Sequence, residues 1–210
     1  PAVAAGGLDY VYKAATRVSL PARAETHSVP LSAREYPIEA FYEATPSLQK
    51  TAFLRAKVRN QSKQPLLAGP VDIFVGADFI GQGRLETTGS GGEIEFPLGA
   101  DEDIRFERRV VPKTETEGVF SKEDVTRYTV EIDVANYKRR PVTVRVTDVL
   151  PKSDHEKVEI KAKKMRPKPV EGPDADGLLV FELKLPARGK ETITFDYEIR
   201  RPADWQLRQR

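Results

Sequence analysis

AFLRAKVR, residues 52–59, decides the fold. Side chains of an extended strand alternate between its faces, so Ala52, Leu54, Ala56 and Val58 point one way and Phe53, Arg55, Lys57 and Arg59 the other. The rhythm recurs at Tyr128, Val130, Ile132 and Val134, with Arg127, Thr129, Glu131 and Asp133 between them. It recurs at Val142, Val144 and Val146, at Val158, Ile160 and Ala162, and at Ile193, Phe195, Tyr197 and Ile199. No stretch of ten or more residues places apolar side chains at helical spacing. The reading is all-β, tandem antiparallel β-sandwiches with little helix, each strand having a dry and a wet face.

Working outward, Glu35 to Thr45 carries Pro37 and predicts an edge strand or a strand start, because proline removes a ladder donor. Val71, Ile73 and Val75 predict a strand whose hairpin partner is Phe79 to Leu85, joined at Gly76-Ala77-Asp78. Between Pro112 and Asp124 the apolar pattern weakens and charge rises, which predicts a boundary: an N-terminal β domain over 1–115 and a second domain over 116–210. The second contains five alternating runs, about 125–137, 140–149, 156–165, 178–185 and 190–200, separated by turn residues such as Lys138-Arg139-Arg140-Pro141. Short strands at that spacing are the pattern of an immunoglobulin- or fibronectin-like sandwich.

Composition narrows the function classes. The 210 residues hold 34 basic and 32 acidic side chains, a formal net charge of +2, which gives little reason to expect a nucleic-acid partner. Cysteine is absent, excluding disulfides, thiolate metal sites and cysteine nucleophiles. No apolar run has the length of a membrane span. The chain starts at Pro1, which reads as a piece of a larger protein, so the compartment, cytoplasm or cell envelope, stays open.

Several motifs suggest chemistry and are better read as turns. Ser153-Asp154-His155 are neighbours in sequence, whereas triad members meet in space. Gly89-Ser90-Gly91-Gly92 precedes a strand rather than the helix that a phosphate loop needs. Asp174-Ala175-Asp176-Gly177 has the start of a calcium loop, but Leu183 stands where the closing carboxylate belongs. His27 and His155 lie in different predicted domains and share no metal-ligand spacing. The sequence therefore calls for no catalytic residue, metal or cofactor. Two features remain as candidate contacts: the basic run Lys161, Lys163, Lys164 and Arg166, otherwise the guard of an edge strand, and Trp205 in a polar tail, otherwise packed on its own domain.

The wording of the strands adds a resemblance. Asn60 with Leu66-Leu67-Ala68-Gly69-Pro70, Phe79-Ile80-Gly81, Leu98-Gly99-Ala100-Asp101, Tyr128, Asn136, Pro141, Asp148-Val149-Leu150-Pro151 and Phe195 to Pro202 resemble the C-terminal domain of mucoidy-inhibitor-A-like bacterial proteins. That domain is of unknown function. The resemblance implies an upstream β domain and a helical coiled-coil insertion, and a setting in the cell envelope or exopolysaccharide. It supplies no catalytic residues. The favoured expectation is a non-catalytic structural or protein-interaction module with a protein partner or a second copy of itself. The alternative is a carbohydrate-binding module for acidic polysaccharide, hinted at by Phe53 and Phe74, which fall out of phase with the apolar faces of their strands. A carboxylate-pair hydrolase is a third reading, which spacing alone cannot support.

Overall fold

A computed structural model describes residues 10–14, 17–20, 27–115 and 123–202, and every regular element among them is a strand. In chain order these are β1 (Ile38–Ala44), β2 (Ala52–Arg59), β3 (Gly69–Val75), β4 (Asp78–Leu85), β5 (Glu93–Asp101), β6 (Ile104–Glu115), β7 (Glu123–Asn136), β8 (Val142–Val149), β9 (Glu159–Arg166), β10 (Leu178–Leu185) and β11 (Lys190–Pro202). They form a five-stranded sheet in the order β10-β8-β1-β2-β5, a four-stranded sheet in the order β6-β7-β11-β9, and the β3–β4 hairpin. Contacts group the chain into two units, Pro1–Glu39 with Lys57–Glu95, and Ala40–Ala56 with Phe96–Arg210.

The second unit holds the apolar core, and the alternation of its strands explains why. Val130, Ile132 and Val134 of β7 and Ile193 and Phe195 of β11 are fully buried, as are Val144 and Val146 of β8 and Leu179, Phe181 and Leu185 of β10. These side chains come from both sheets and join one cluster, so the sheets pack as a sandwich. The rings of Phe181 and Phe195 stack across it with centroids 6.0 Å apart. Truncating either to alanine removes about 3–5 kcal/mol, because a close-packed core does not collapse into the space left.

Three features depart from the expected arrangement. The sandwich is not wholly antiparallel: β1 runs parallel to β8, with Tyr42, Glu43 and Ala44 opposite Val144, Arg145 and Val146. Such a pairing needs a long connection between the strands, and here almost 100 residues of chain intervene in the sequence. β1 is also interior, between β8 and β2. Pro37 stands just outside it, so the missing donor limits where the strand starts and not where it sits. Consecutive Phe41 and Tyr42 are therefore both buried, Phe41 beneath the Arg145 guanidinium at 4.4 Å from its ring centroid. Finally, the division expected between residues 115 and 116 falls inside the second unit. The charged stretch after Pro112 continues β6, which pairs with β7 from Ile104 opposite Asn136 to Glu115 opposite Val125.

The first unit is built differently. Its β3–β4 hairpin turns at Gly76-Ala77, with Gly76 at φ +63°, and Val75 faces Asp78 across it. Among its described residues Ile73 is the buried apolar side chain, while Asn60, Ser62 and Gln64 are buried polar ones.

Candidate functional site

The turn from Tyr137 to Pro141, between β7 and β8, borders three cavities of the second unit. One, of about 840 Å³, has Arg105, Tyr137 and Lys190 on its walls; a second, of about 420 Å³, lies against Tyr137 to Arg140 and Asp103. The third, of about 480 Å³, is lined by Tyr42, Leu54, Arg140 to Thr143 and Lys184 to Pro186. These volumes suit a ligand or a short peptide segment.

The turn is held from below by Asn136, which is 1% exposed. Its side-chain amide donates to the carbonyls of Arg140, at 2.9 Å, and Pro186, at 2.8 Å. Its Oδ1 accepts from the Lys138 amide at 2.9 Å, and its backbone N–H donates to Gly189. One buried side chain therefore satisfies backbone groups of two turns at once, as burial requires. Arg188, at φ +56°, donates its amide to the Lys138 carbonyl and completes the tie. Gly189 is needed for close approach, since a Cβ there would lie 2.5 Å from the Pro186 ring.

Charge is organised around this frame. Lys138 bonds Asp101 at 2.8 Å and Asp103 at 3.1 Å, and the Tyr42 hydroxyl donates to Asp101 at 2.8 Å. Burial works to raise the Asp101 carboxyl, but Lys138, Tyr42 and the Asp103 amide outweigh it and hold it below its ordinary value of 3.8. Burial, then the Asp101 bond, pushes the Tyr42 hydroxyl up, and the Asp101 bond raises the Lys138 ammonium. The Arg105 guanidinium lies 5.2 Å from the centroid of the exposed Tyr137 ring.

Other buried charges tie strands together. Arg108 of β6 meets the fully buried Asp148 of β8 at 2.7 and 3.3 Å, joining the two sheets through the core. Glu198, 4% exposed, takes Arg127 at 2.6 Å, Lys163 at 3.2 Å and Arg200 at 3.8 Å. The Arg127 bond holds its carboxyl below 4.5 against the upward push of burial, with Lys163 adding to it. Among the described residues no cluster of three or more histidine and carboxylate side chains is placed to hold a metal ion.

The residues singled out by sequence fall elsewhere. Lys161, Lys163, Lys164 and Arg166 lie on β9, an edge strand of the four-stranded sheet. Lys161 pairs with Glu159 and Lys163 with Glu198. The ladder to β11 slips by one residue between Ala162 and Met165, a bulge that carries Lys163 and Lys164. A bulged, lysine-lined edge resists pairing with another sheet, which accounts for the run without a ligand. Trp205 lies outside the described residues. His155 forms a turn, taking the Lys157 amide on Nδ1. Asp174 turns inward, accepting the amides of Asp176 and Leu178 on one oxygen, while Asp176 pairs with Lys152 at 2.6 Å. Gly89 to Gly92 pack around Asn60, which donates to the Gln64, Thr88 and Gly89 carbonyls and accepts from the Ser62 amide and hydroxyl.

Sequence reasoning missed both asparagines as structural centres. The signal was present: NQSKQP at 60–65 and NYKRRP at 136–141 share an asparagine five residues before a proline, each at the end of a strand. The hairpin Phe74 and Phe79 form a second surface, both exposed and in edge-to-face contact at 5.4 Å.

Residues 4–203 match a family described as Domain of unknown function (DUF4139). A curated relative, Protein F37C4.5 of Caenorhabditis elegans, is 31% identical over 118 residues, covering 55% of this chain and 21% of its own length. The chain thus spans about a fifth of that relative. No solved structure matches.

Proposed function

We propose that this chain, which belongs to the DUF4139 family, is a non-catalytic structural and protein-interaction module. The observation that carries the reading is the use made of its buried carboxylates. Asp148 and Glu198, and the partly buried Asp101, are each committed to cations or a hydroxyl that tie elements of the fold together. General acid–base work needs a carboxyl within reach of a substrate proton. The exposed Phe74 and Phe79 of the hairpin, and the exposed Tyr137, Arg139 and Arg140 of the Tyr137–Pro141 turn, form two surfaces that suit partner contacts.

The mucoidy-inhibitor-A-like resemblance, with its bacterial cell-envelope or exopolysaccharide setting, belongs to this proposal; the relative reported above is an animal protein. A carbohydrate-binding reading draws on the exposed Phe74 and Phe79, although their edge-to-face packing offers no flat platform. Calorimetry against acidic polysaccharide separates it: saturable heats abolished by Phe79→Ala favour the sugar, and silence removes it.

Photo-crosslinking tests the main reading. With benzoylphenylalanine placed at Phe79 or Arg139 of the intact protein in its own cells, discrete protein adducts are expected. Absence of adducts from both positions contradicts the proposal.

A further inference from the structure

We infer that the Tyr137–Pro141 turn is a docking site for an acidic peptide segment of a partner protein, an inference that rests on the interaction-module reading. Its first support is rigidity. Asn136, Arg188 and Gly189 fix the backbone of the turn, so the side chains on it are displayed from a frame already ordered before binding. Preorganisation of that kind lowers the entropy cost of association.

The second support is the charge left over. Lys138 is spent on Asp101 and Asp103, and Arg108 on Asp148. Asp133 and Glu107 are held by Arg109. Among the described residues, Lys50, Arg105, Arg139, Arg140 and Lys190, around the turn and its cavities, form no ion pair, Lys190 acting on Asp133 only from a distance, and Glu191 is the cavity-lining carboxylate without one. The excess positive charge is thus local, although the chain as a whole is nearly balanced. Guanidinium groups bind carboxylates through paired hydrogen bonds, and three of these five are arginines.

The same observations choose among anionic partners. Carboxylates stand among the cations: Asp103, Glu107, Asp133 and Glu191 line the same cavities. They repel a ligand of uniform charge density such as a nucleic acid, and tolerate spaced carboxylates on a peptide. A sugar would need an open aromatic face and neutral amide side chains for its hydroxyls. The Tyr137 ring already carries Arg105 over one face, and no asparagine or glutamine side chain lines these cavities. Pro46, Pro141 and Pro186 add apolar surface of the kind that packs against a peptide backbone.

Fluorescence anisotropy with a labelled peptide of alternating glutamate and serine, titrated with the whole protein, tests the site. Saturable binding that weakens as salt rises is expected. The double change Arg139→Glu with Arg140→Glu should raise Kd about tenfold or more. The milder Arg139→Gln with Arg140→Gln should raise it about threefold, and unchanged melting of either variant confirms that it folds. Lys164→Glu, on the β9 bulge, should leave Kd unchanged. Failure of the peptide to bind overturns the inference. So does an equal loss with Lys164→Glu, or tighter binding of an oligouronate or single-stranded DNA probe of matched charge. A protein adduct from position 79 together with none from position 139 would overturn this docking site while leaving the interaction-module reading intact.

Discussion

Asn60 and Asn136 do the same job in two different surroundings. Each ends a strand, accepts the amide two residues on, donates to the carbonyl four residues on, and reaches across to a neighbouring turn. Each backbone N–H goes to a glycine carbonyl in that second turn, Gly92 for Asn60 and Gly189 for Asn136. Around Asn60 the turn folds inward, so Ser62 and Gln64 are buried, and the first unit is organised about a polar centre. Around Asn136 the second unit already has an apolar sandwich, and the same turn points outward with Tyr137, Arg139 and Arg140 exposed. The clasp is therefore a device indifferent to its contents: where greasy packing is scarce it builds an interior, and where packing is secure it presents side chains to a partner.

The largest expected effect comes from inverting the clasp itself. Asn60→Asp or Asn136→Asp replaces an amide donor by an acceptor facing two or more carbonyls, and should cost about 3 kcal/mol or more. For a chain of this size that lowers Tm by about 6–12 °C. Calorimetry on the two variants sharpens the comparison: equal losses mean that the clasp carries its energy alone, and a smaller loss at Asn136 means that the apolar core shares it. Next comes the second turn position. Ser62→Ala removes a buried hydroxyl bonded to Asn60 and the Gln64 carbonyl and should cost about 1–2 kcal/mol in chemical denaturation. Arg139→Ala, on the outward turn, should stay within about 0.5 kcal/mol.

Acid separates the units in another way. Asp101, Asp133 and Glu198, all in the second unit, are held below their ordinary values of 3.8, 3.8 and 4.5. A depressed carboxyl stabilises the fold above its unfolded pKa, and the contribution is lost as pH falls through the depressed one. Loss of second-unit structure is therefore expected below about pH 4. Glu198→Gln should lower Tm at neutral pH and flatten its fall in acid, read by circular dichroism. Lys138, raised above 10.5, acts in the opposite sense, its contribution fading only as pH rises past that value.

The strands with one dry and one wet face were legible in the sequence, because β7, β8, β10 and β11 alternate in step with burial. What escaped was set by partners distant in sequence. Nothing near Tyr42 announces that β1 lies parallel to Val144–Val146. Glu198 sits on the wet phase between Tyr197 and Ile199, yet Arg127, Lys163 and Arg200 cover it. In sequence the KRRP turn is mere punctuation, since the cavities beside it are formed by strands far apart in the chain.

Native-state hydrogen exchange at the Ser62 and Lys138 amides addresses the paired clasps most directly, because each amide donates to its asparagine Oδ1. The account predicts slow exchange at both, abolished at Ser62 by Asn60→Ala and at Lys138 by Asn136→Ala, which remove the accepting oxygen. Exchange of the Lys138 amide at the rate of an open loop in the unaltered protein would contradict it.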